Sequence, residues 1–247
     1  MKKLFFENRL VLSAMAGIND AEFCNKQAAS LVILGGFNAD RKAIEAAKAV
    51  SARGRKEFIF EDPVEGIENE IKKVKKKFAI NVRSATFEGY IACAELASDY
   101  KGILEINAHC RQPEFKAIGC GEALLFDQEK LIKIIEKVSE VTTTSVKIRG
   151  GLKLDYKSLC SKIFLAGARI VHIDAMVPEG GFDLNLISEV SKLGNVVGNN
   201  SFVDIKSGEE YIKAGAKMVS AARAVLNDSK FFEKMLKSEI LSQPVEM

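Results

Sequence analysis

Runs rich in branched and aromatic apolar residues recur along the chain at 10–14, 31–34, 78–82, 103–106, 145–148, 169–173, 195–198 and 216–221. Each has the length and bounding residues of a buried strand. Between them the apolar positions fall into helical spacing, as at 43–53, 67–77, 128–141, 155–166, 185–193 and 208–214. The repeating unit is therefore β-α, and eight such units without a long interruption close into a TIM (β/α)8 barrel in preference to an open doubly wound sheet. Only the connection between the second and third strands is long. Within it, Glu57-Phe58-Ile59-Phe60 reads as an extra strand or a packed loop. The lysine-rich run 72–77 closes the helix leading into the third strand and reads as a solvated helix end on the barrel's N-terminal face. One more helix, 230–241, follows the eighth strand.

Composition agrees with this pattern. A barrel of this kind needs about 250 residues, and the chain has 247, of which 47% are hydrophobic. No Gly/Ser linker, low-complexity tract or repeat divides it, so 1–247 reads as a single α/β domain. With 36 basic and 33 acidic residues the formal charge is only +3, too balanced to announce nucleic acid or a membrane surface. The apolar start Leu4-Phe5-Phe6 is broken by Glu7, Asn8 and Arg9 before a signal core or membrane span forms, which points to a cytoplasmic protein. Five cysteines, Cys24, Cys93, Cys110, Cys120 and Cys160, without any CxxC, indicate neither a disulfide framework nor a structural zinc site. No metal is expected.

Closure of the barrel decides where chemistry gathers, because active sites of this fold lie on the loops that follow the strands. After the first strand come Met15-Ala16-Gly17-Ile18-Asn19-Asp20, after the third Asn81-Val82-Arg83-Ser84, and the fourth ends at Asn107, ahead of His109 and Cys110. The fifth ends at Lys147 and Arg149, the sixth at His172 and Asp174, the seventh at Asn199-Asn200-Ser201 and the eighth at Arg223. Both of the chain's histidines fall on this one face. Asn199, Asn200 and Ser201, with Ala221, Ala222 and Arg223, occupy the place where many barrels bind phosphate. Lys147 points by alternation into the mouth, and its buried ammonium needs an anion. That anion is either Glu105 on the neighbouring strand or the pyrimidine edge of a reduced flavin, which Asn81 would meet from the other side.

Taken together, the stretches Leu12-Ser13-Ala14-Met15-Ala16-Gly17-Ile18-Asn19-Asp20, Glu105-Ile106-Asn107-Ala108-His109-Cys110, Gly119-Cys120-Gly121-Glu122-Ala123-Leu124-Leu125, Val146-Lys147-Ile148-Arg149, Val171-His172 and Arg223 resemble the tRNA-dihydrouridine synthase family of FMN barrels. Dihydroorotate dehydrogenases share part of the pattern. The resemblance runs from about residue 10 to residue 226. It implies FMN over the mouth, with Ala14, Met15, Ala16 and Gly17 against the ring system, Asn81 and Lys147 on its edges, and His172, Asn199, Ala222 and Arg223 toward its phosphate. It also implies NAD(P)H as electron donor, Asn107 and Arg149 as substrate-binding residues, and Cys110 as the catalytic proton donor. A free thiol, mostly protonated at neutral pH, can serve in that role. The chain departs from the family at His109 and Arg111, where Gly and Pro flank the cysteine, at Ala14 (Pro), at Asn81 (Gln) and at Asp174 (Arg). It is also expected to lack the family's C-terminal helical tRNA-binding domain.

The expected activity is reduction of a pyrimidine C5=C6 bond, with tRNA and a free small pyrimidine both open as partners and no membrane partner. The competing readings are a small-molecule dehydrogenase of the dihydroorotate type and a barrel that binds FMN or phosphate without turnover. Arg83, Arg111, Lys116 and Arg149 are the candidate cations of an RNA-binding rim.

Overall fold

The computed structural model describes residues 3–178 and 180–247. The barrel strands are β1 (Leu10–Leu12), β2 (Leu31–Asn38), β3 (Phe78–Arg83), β4 (Ile103–Ala108), β5 (Thr144–Arg149), β6 (Ile170–Asp174), β7 (Asn195–Asn199) and β8 (Met218–Ala221). All pair in parallel and in sequence order, and β8 returns to β1 through Val219 beside Leu10 and Ala221 beside Leu12, closing the barrel. The connecting helices are α1 (Ala21–Asn25), α2 (Arg41–Ala52), α3 (Pro63–Ile71), α4 (Phe87–Asp99), α5 (Pro113–Ala117), α6 (Gln128–Val141), α7 (Tyr156–Leu165), α8 (Leu184–Ser191) and α9 (Ile205–Lys213), with α10 (Arg223–Asn227) and α11 (Phe231–Met235) after β8. Aspartates open seven of them. Asp20, Asp40, Asp62, Asp127, Asp155, Asp183 and Asp204 each accept a backbone N–H of the first turn, satisfying donors that a helix start leaves bare.

Alternation along the strands sorts side chains into two cores. Leu10, Leu12, Val32, Ile80, Leu104, Val146, Val171 and Val196 join the helices in the outer one. Val11, Ile33, Ala79, Ile103, Ile170, Val197 and Met218 form a smaller inner one, capped by Phe6, Val245 and Met247. The cap is a two-stranded antiparallel sheet, Phe5–Phe6 against Val245–Glu246, across the barrel's N-terminal end. Apolar side chains thus fill the lower interior. The upper interior is polar.

Several boundaries differ from the sequence expectation. β2 continues past Leu34 to Asn38, through Gly35 and Gly36, with a register shift against β3; paired glycines read as a strand end because they carry no side chain to pack. α3 stops at Ile71, so the lysines at 72–77 lie on the turn into β3, and Lys77 donates to the Phe5 carbonyl instead of being merely solvated. The expected helix 230–241 shrinks to α11, because the Ser238 hydroxyl takes the N–H groups of Ile240 and Leu241 at 3.2 Å each and so competes with helix continuation.

Glu57-Phe58-Ile59-Phe60 is a packed loop. Phe58 and Phe60 pack with tilted rings against Phe37 at centroid distances of 5.0 and 5.9 Å, and Asn38 Nδ2 donates to the Phe58 carbonyl at 2.8 Å. Glu57 pairs with Arg83, both side chains almost wholly enclosed at 1% and 2% exposure. Removing one partner of a buried pair strands the other charge at a cost of about 3–5 kcal/mol. Glu57→Ala should therefore lower stability in urea titrations by about that amount, whereas Lys3→Ala, which breaks the exposed Lys3–Glu246 pair, should leave the midpoint where it is; equal midpoints for the two variants would show that the loop does not need its ion pair.

Candidate active site

Strand register aligns the polar residues of the upper barrel into rows. Asn81 lies beside Glu105 and Glu105 beside Ser145; Asn107 lies beside Lys147 and Lys147 beside His172; Arg149 lies beside Asp174, Asp174 beside Asn199 and Asn199 beside Ser220. Glu105, 1% exposed, anchors the lowest row. It receives His172 Nδ1 at 2.8 Å, Asn81 Nδ2 at 2.8 Å and the Ser145 hydroxyl at 3.2 Å. Burial opposes its charge, yet the paired His172, with Lys147 and Asn81, holds the carboxyl down to about 2. Burial lowers the pKa of His172 and keeps its imidazole neutral. Nδ1–H therefore donates to Glu105, and Nε2 accepts from the Ser220 hydroxyl at 2.7 Å.

Lys147 is buried at 4% exposure. Among the described residues its ammonium hydrogen-bonds only Ser13 Oγ, leaving two of its three donors unused. Glu105 and Asp174 act on it through their charge, against a burial effect that lowers its pKa. No ion-pair contact joins Lys147 to Glu105, whose oxygens belong to His172, Asn81 and Ser145.

The loop leaving β4 is built on Asn107. Its Nδ2 donates to Asn81 Oδ1 at 2.8 Å, and its Oδ1 accepts the backbone N–H groups of His109 and Cys110 at 3.1 and 2.9 Å. Cys110 alone among the five thiols is partly exposed. Burial pushes the thiols of Cys93, Cys120 and Cys160 up to about 12 and raises Cys24 as well. Cys120 is enclosed, and the left-handed glycines beside it bend the chain so that Glu122 N–H meets the Cys110 carbonyl at 2.9 Å; a Cβ on Gly121 would come within 2.3 Å of that carbonyl oxygen. Arg83 reaches Cys110 Sγ at 3.7 Å and lies 3.8 Å above the Phe115 ring, its charge matched by Glu57. His109 and Asp174, two positions that depart from the synthase pattern, touch each other, with Nε2 and Oδ2 2.5 Å apart.

The remaining expected residues are less directly placed. Ala14, Met15, Ala16 and Gly17 form a half-buried lip after β1, and Gly17, with φ 68°, sits so close to the Lys56–Glu57 backbone that a Cβ would lie 2.5 Å from it. Asn199 spends its amide on Ser220, at 3.1 Å to the carbonyl and 2.8 Å to the hydroxyl, while Asn200 and Ser201, both at positive φ, bond to the Gly181 carbonyl. Ala222 precedes α10, and Arg223 is exposed without a polar partner among the described residues. Ser13, Ser145 and Ser220 were not legible as site residues. Alternation would have turned each inward, but isolated serines carry no motif.

Over 251 residues the chain is 30% identical to "Uncharacterized protein MJ0144" of Methanocaldococcus jannaschii, covering 94% of this chain and 95% of that one. The chain belongs to that protein's family. No protein-family model matches it. Among solved structures it is similar to morphinone reductase in complex with tetrahydroNAD (TM-score 0.70, 10% identity, 96% of this chain and 89% of that one). It is also similar to DHODH from Eimeria tenella in complex with ferulenol (0.68, 12%, 93% and 79%) and to FabK from Thermotoga maritima (0.58, 16%, 98% and 71%). At these identities the likeness is one of fold. No helix among the described residues is long and apolar enough to cross a membrane.

Two measurements test the site as built. In the native protein one thiol, Cys110, should react readily with an exposed-thiol reagent while the other four lag until unfolding; rapid labelling that persists in Cys110→Ala would contradict the assignment. Unfolded His172 takes up a proton below its ordinary value of 6.5, whereas the folded residue, with its value lowered, resists it. Stability should therefore decline as the pH falls through 6.5 and decline further between 4.5, the ordinary Glu105 value, and about 2, because unfolding binds protons in both ranges. A thermal midpoint that stays level or rises from pH 7 to pH 4 would refute this.

Proposed function

We propose that this chain is an FMN-dependent oxidoreductase that reduces the C5=C6 bond of a pyrimidine with NAD(P)H, in the manner of the tRNA-dihydrouridine synthases it resembles. Lys147 carries the reading: a buried ammonium on the central strand of the Asn107–Lys147–His172 row, with two unused donors directed at no protein group. Such a group fits a cofactor edge that gains negative charge on reduction. Lys147 would hold that edge, Asn81 being wholly buried with its amide committed to Glu105 and Asn107; the lip 14–17 would pack on the ring system, and Asn199, Ala222 and Arg223 would approach the phosphate. FMN, when bound, supplies hydride transfer between the nicotinamide donor and the substrate ring.

The chain's own residues then hold the substrate and move the proton. Cys110 protonates C5, its backbone fixed by Asn107 and its sulfur by Arg83. Asn107 and Arg149 hold the pyrimidine.

Charge pairing favours a free small pyrimidine over RNA. Of the cations named for an RNA rim, Arg83 is matched by Glu57, Lys116 by Glu122 at 3.2 Å, and Arg149 by Glu122 and Asp174 at 3.5 and 3.6 Å. Compensated cations bind phosphate weakly. Of these four, only Arg111 is left exposed and unmatched. Mapping dihydrouridine in cellular tRNA with and without the gene separates the two substrates.

FMN titration followed by fluorescence should show about one equivalent bound, and Lys147→Met should weaken it about tenfold or more, the scale of a hydrogen bond to a charged group. Cys110→Ala should leave FMN affinity unchanged and slow pyrimidine reduction about a hundredfold, the lower range for a general acid. Absence of FMN binding would overturn the reading; unimpaired turnover in Cys110→Ala would move the proton donor elsewhere.

A further inference from the structure

The carboxylate of Asp174 holds two side chains, of which the proton-donor scheme gives the first no task and the second no named edge of the pyrimidine. One is His109, whose Nε2 lies 2.5 Å from Asp174 Oδ2. A carboxylate can only accept, so Nε2 carries the hydrogen, and a neutral ring then presents Nδ1 as a bare lone pair. The charged groups acting on this imidazole are Asp174 on β6 and Lys147 and Arg149 on β5; burial and the two cations outweigh Asp174 and lower its pKa. Nδ1 has no partner among the described residues, and the side chain is 28% exposed, open at the mouth.

The second is Arg149. Its guanidinium is 9% exposed, with Nη1 3.6 Å from Asp174 and Nε 3.5 Å from Glu122. These separations balance its charge, but they are longer than hydrogen bonds, and no side-chain N–H of Arg149 donates to another described residue. Asp174 therefore sets an acceptor and a donor side by side. This pattern complements a ring N–H next to a carbonyl. It opposes phosphate or carboxylate, which offer only acceptors and would meet the His109 lone pair and the Asp174 charge.

We propose that His109, positioned by Asp174, is the specificity-determining acceptor of this mouth, reading the N–H of an imide edge on an uncharged pyrimidine whose adjacent carbonyl is received by Arg149. The proposal rests on the flavin reading for the place of the substrate, and it deepens that reading by naming the edge that is read. At both His109 and Asp174 the chain departs from the pattern of the family it resembles.

The chain has only two histidines, so nitrogen-15 histidine spectra are simple, and His109→Gln assigns them. In FMN-loaded protein at pH 7, His109 should be the neutral Nε2–H form, and 1-methyluracil should shift its Nδ1 resonance. The analogue 1,3-dimethyluracil, which lacks the imide N–H, should bind at least about tenfold more weakly, the scale of one hydrogen bond. His109→Gln, whose carboxamide oxygen still accepts, should keep most of that discrimination; His109→Phe should lose it, and Asp174→Asn should mix the two tautomers. A cationic or Nδ1–H His109, equal affinity for the two pyrimidines, or no binding of 1-methyluracil to protein that holds FMN would each overturn the proposal. Failure to bind FMN would instead overturn the flavin reading, and the tautomer measured on the FMN-free protein would still judge the Asp174–His109 pair.

Discussion

A carboxylate buried inside the barrel, Glu105, sets the order of everything above it. An unpaired charge at that depth is untenable, so three neighbouring strands each give it a donor: Asn81 from β3, Ser145 from β5 and His172 from β6. The consequence travels outward. Because Asn81 must point its NH2 at Glu105, its oxygen faces the other way and takes the Asn107 amide; Asn107 in turn offers its oxygen to the backbone of His109 and Cys110. The orientation of the loop leaving β4 is thus fixed by a chain of amides whose direction has only one consistent solution. On the other side, His172 is locked as an Nδ1–H tautomer and passes its lone pair to Ser220, which gathers Asn199.

Above this inner layer lies a ring of compensated pairs. Arg83 with Glu57, Arg149 with Glu122 and Asp174, and His109 with Asp174 place strong charges around the mouth while leaving little net field. Such an arrangement suits recognition of a polar, uncharged ring by directional bonds better than attraction of a polyanion by net charge. Lys147 is the exception in the centre. Its partner is a hydroxyl, and the nearest carboxylates are committed to other groups.

The sequence by itself determined the architecture. Eight β-rich runs alternating with helical patterns allow few folds, and each of them became a barrel strand, because apolar periodicity is a local property. It also determined which face gathers the polar strand ends, since these are read from the same periodicity, and it put Cys110, the one partly exposed thiol, on that face. Boundaries went wrong where local signals were overruled: at Gly35 and Gly36, where the strand runs on through residues with no side chain to pack, and after Met235, where one serine hydroxyl diverts the backbone.

What only the tertiary structure decided were the partnerships. Asn107 was legible as a strand-end amide, but not as the link between Asn81 and Cys110; Lys147 was legible as a buried cation, but its choice of Ser13 over Glu105 depends on β1 and β5 facing each other across the barrel. Glu57 sits 26 residues from Arg83, and His109 sits 65 from Asp174. No spacing rule connects such pairs, because closing the barrel, and not proximity along the chain, brings them within reach of one another.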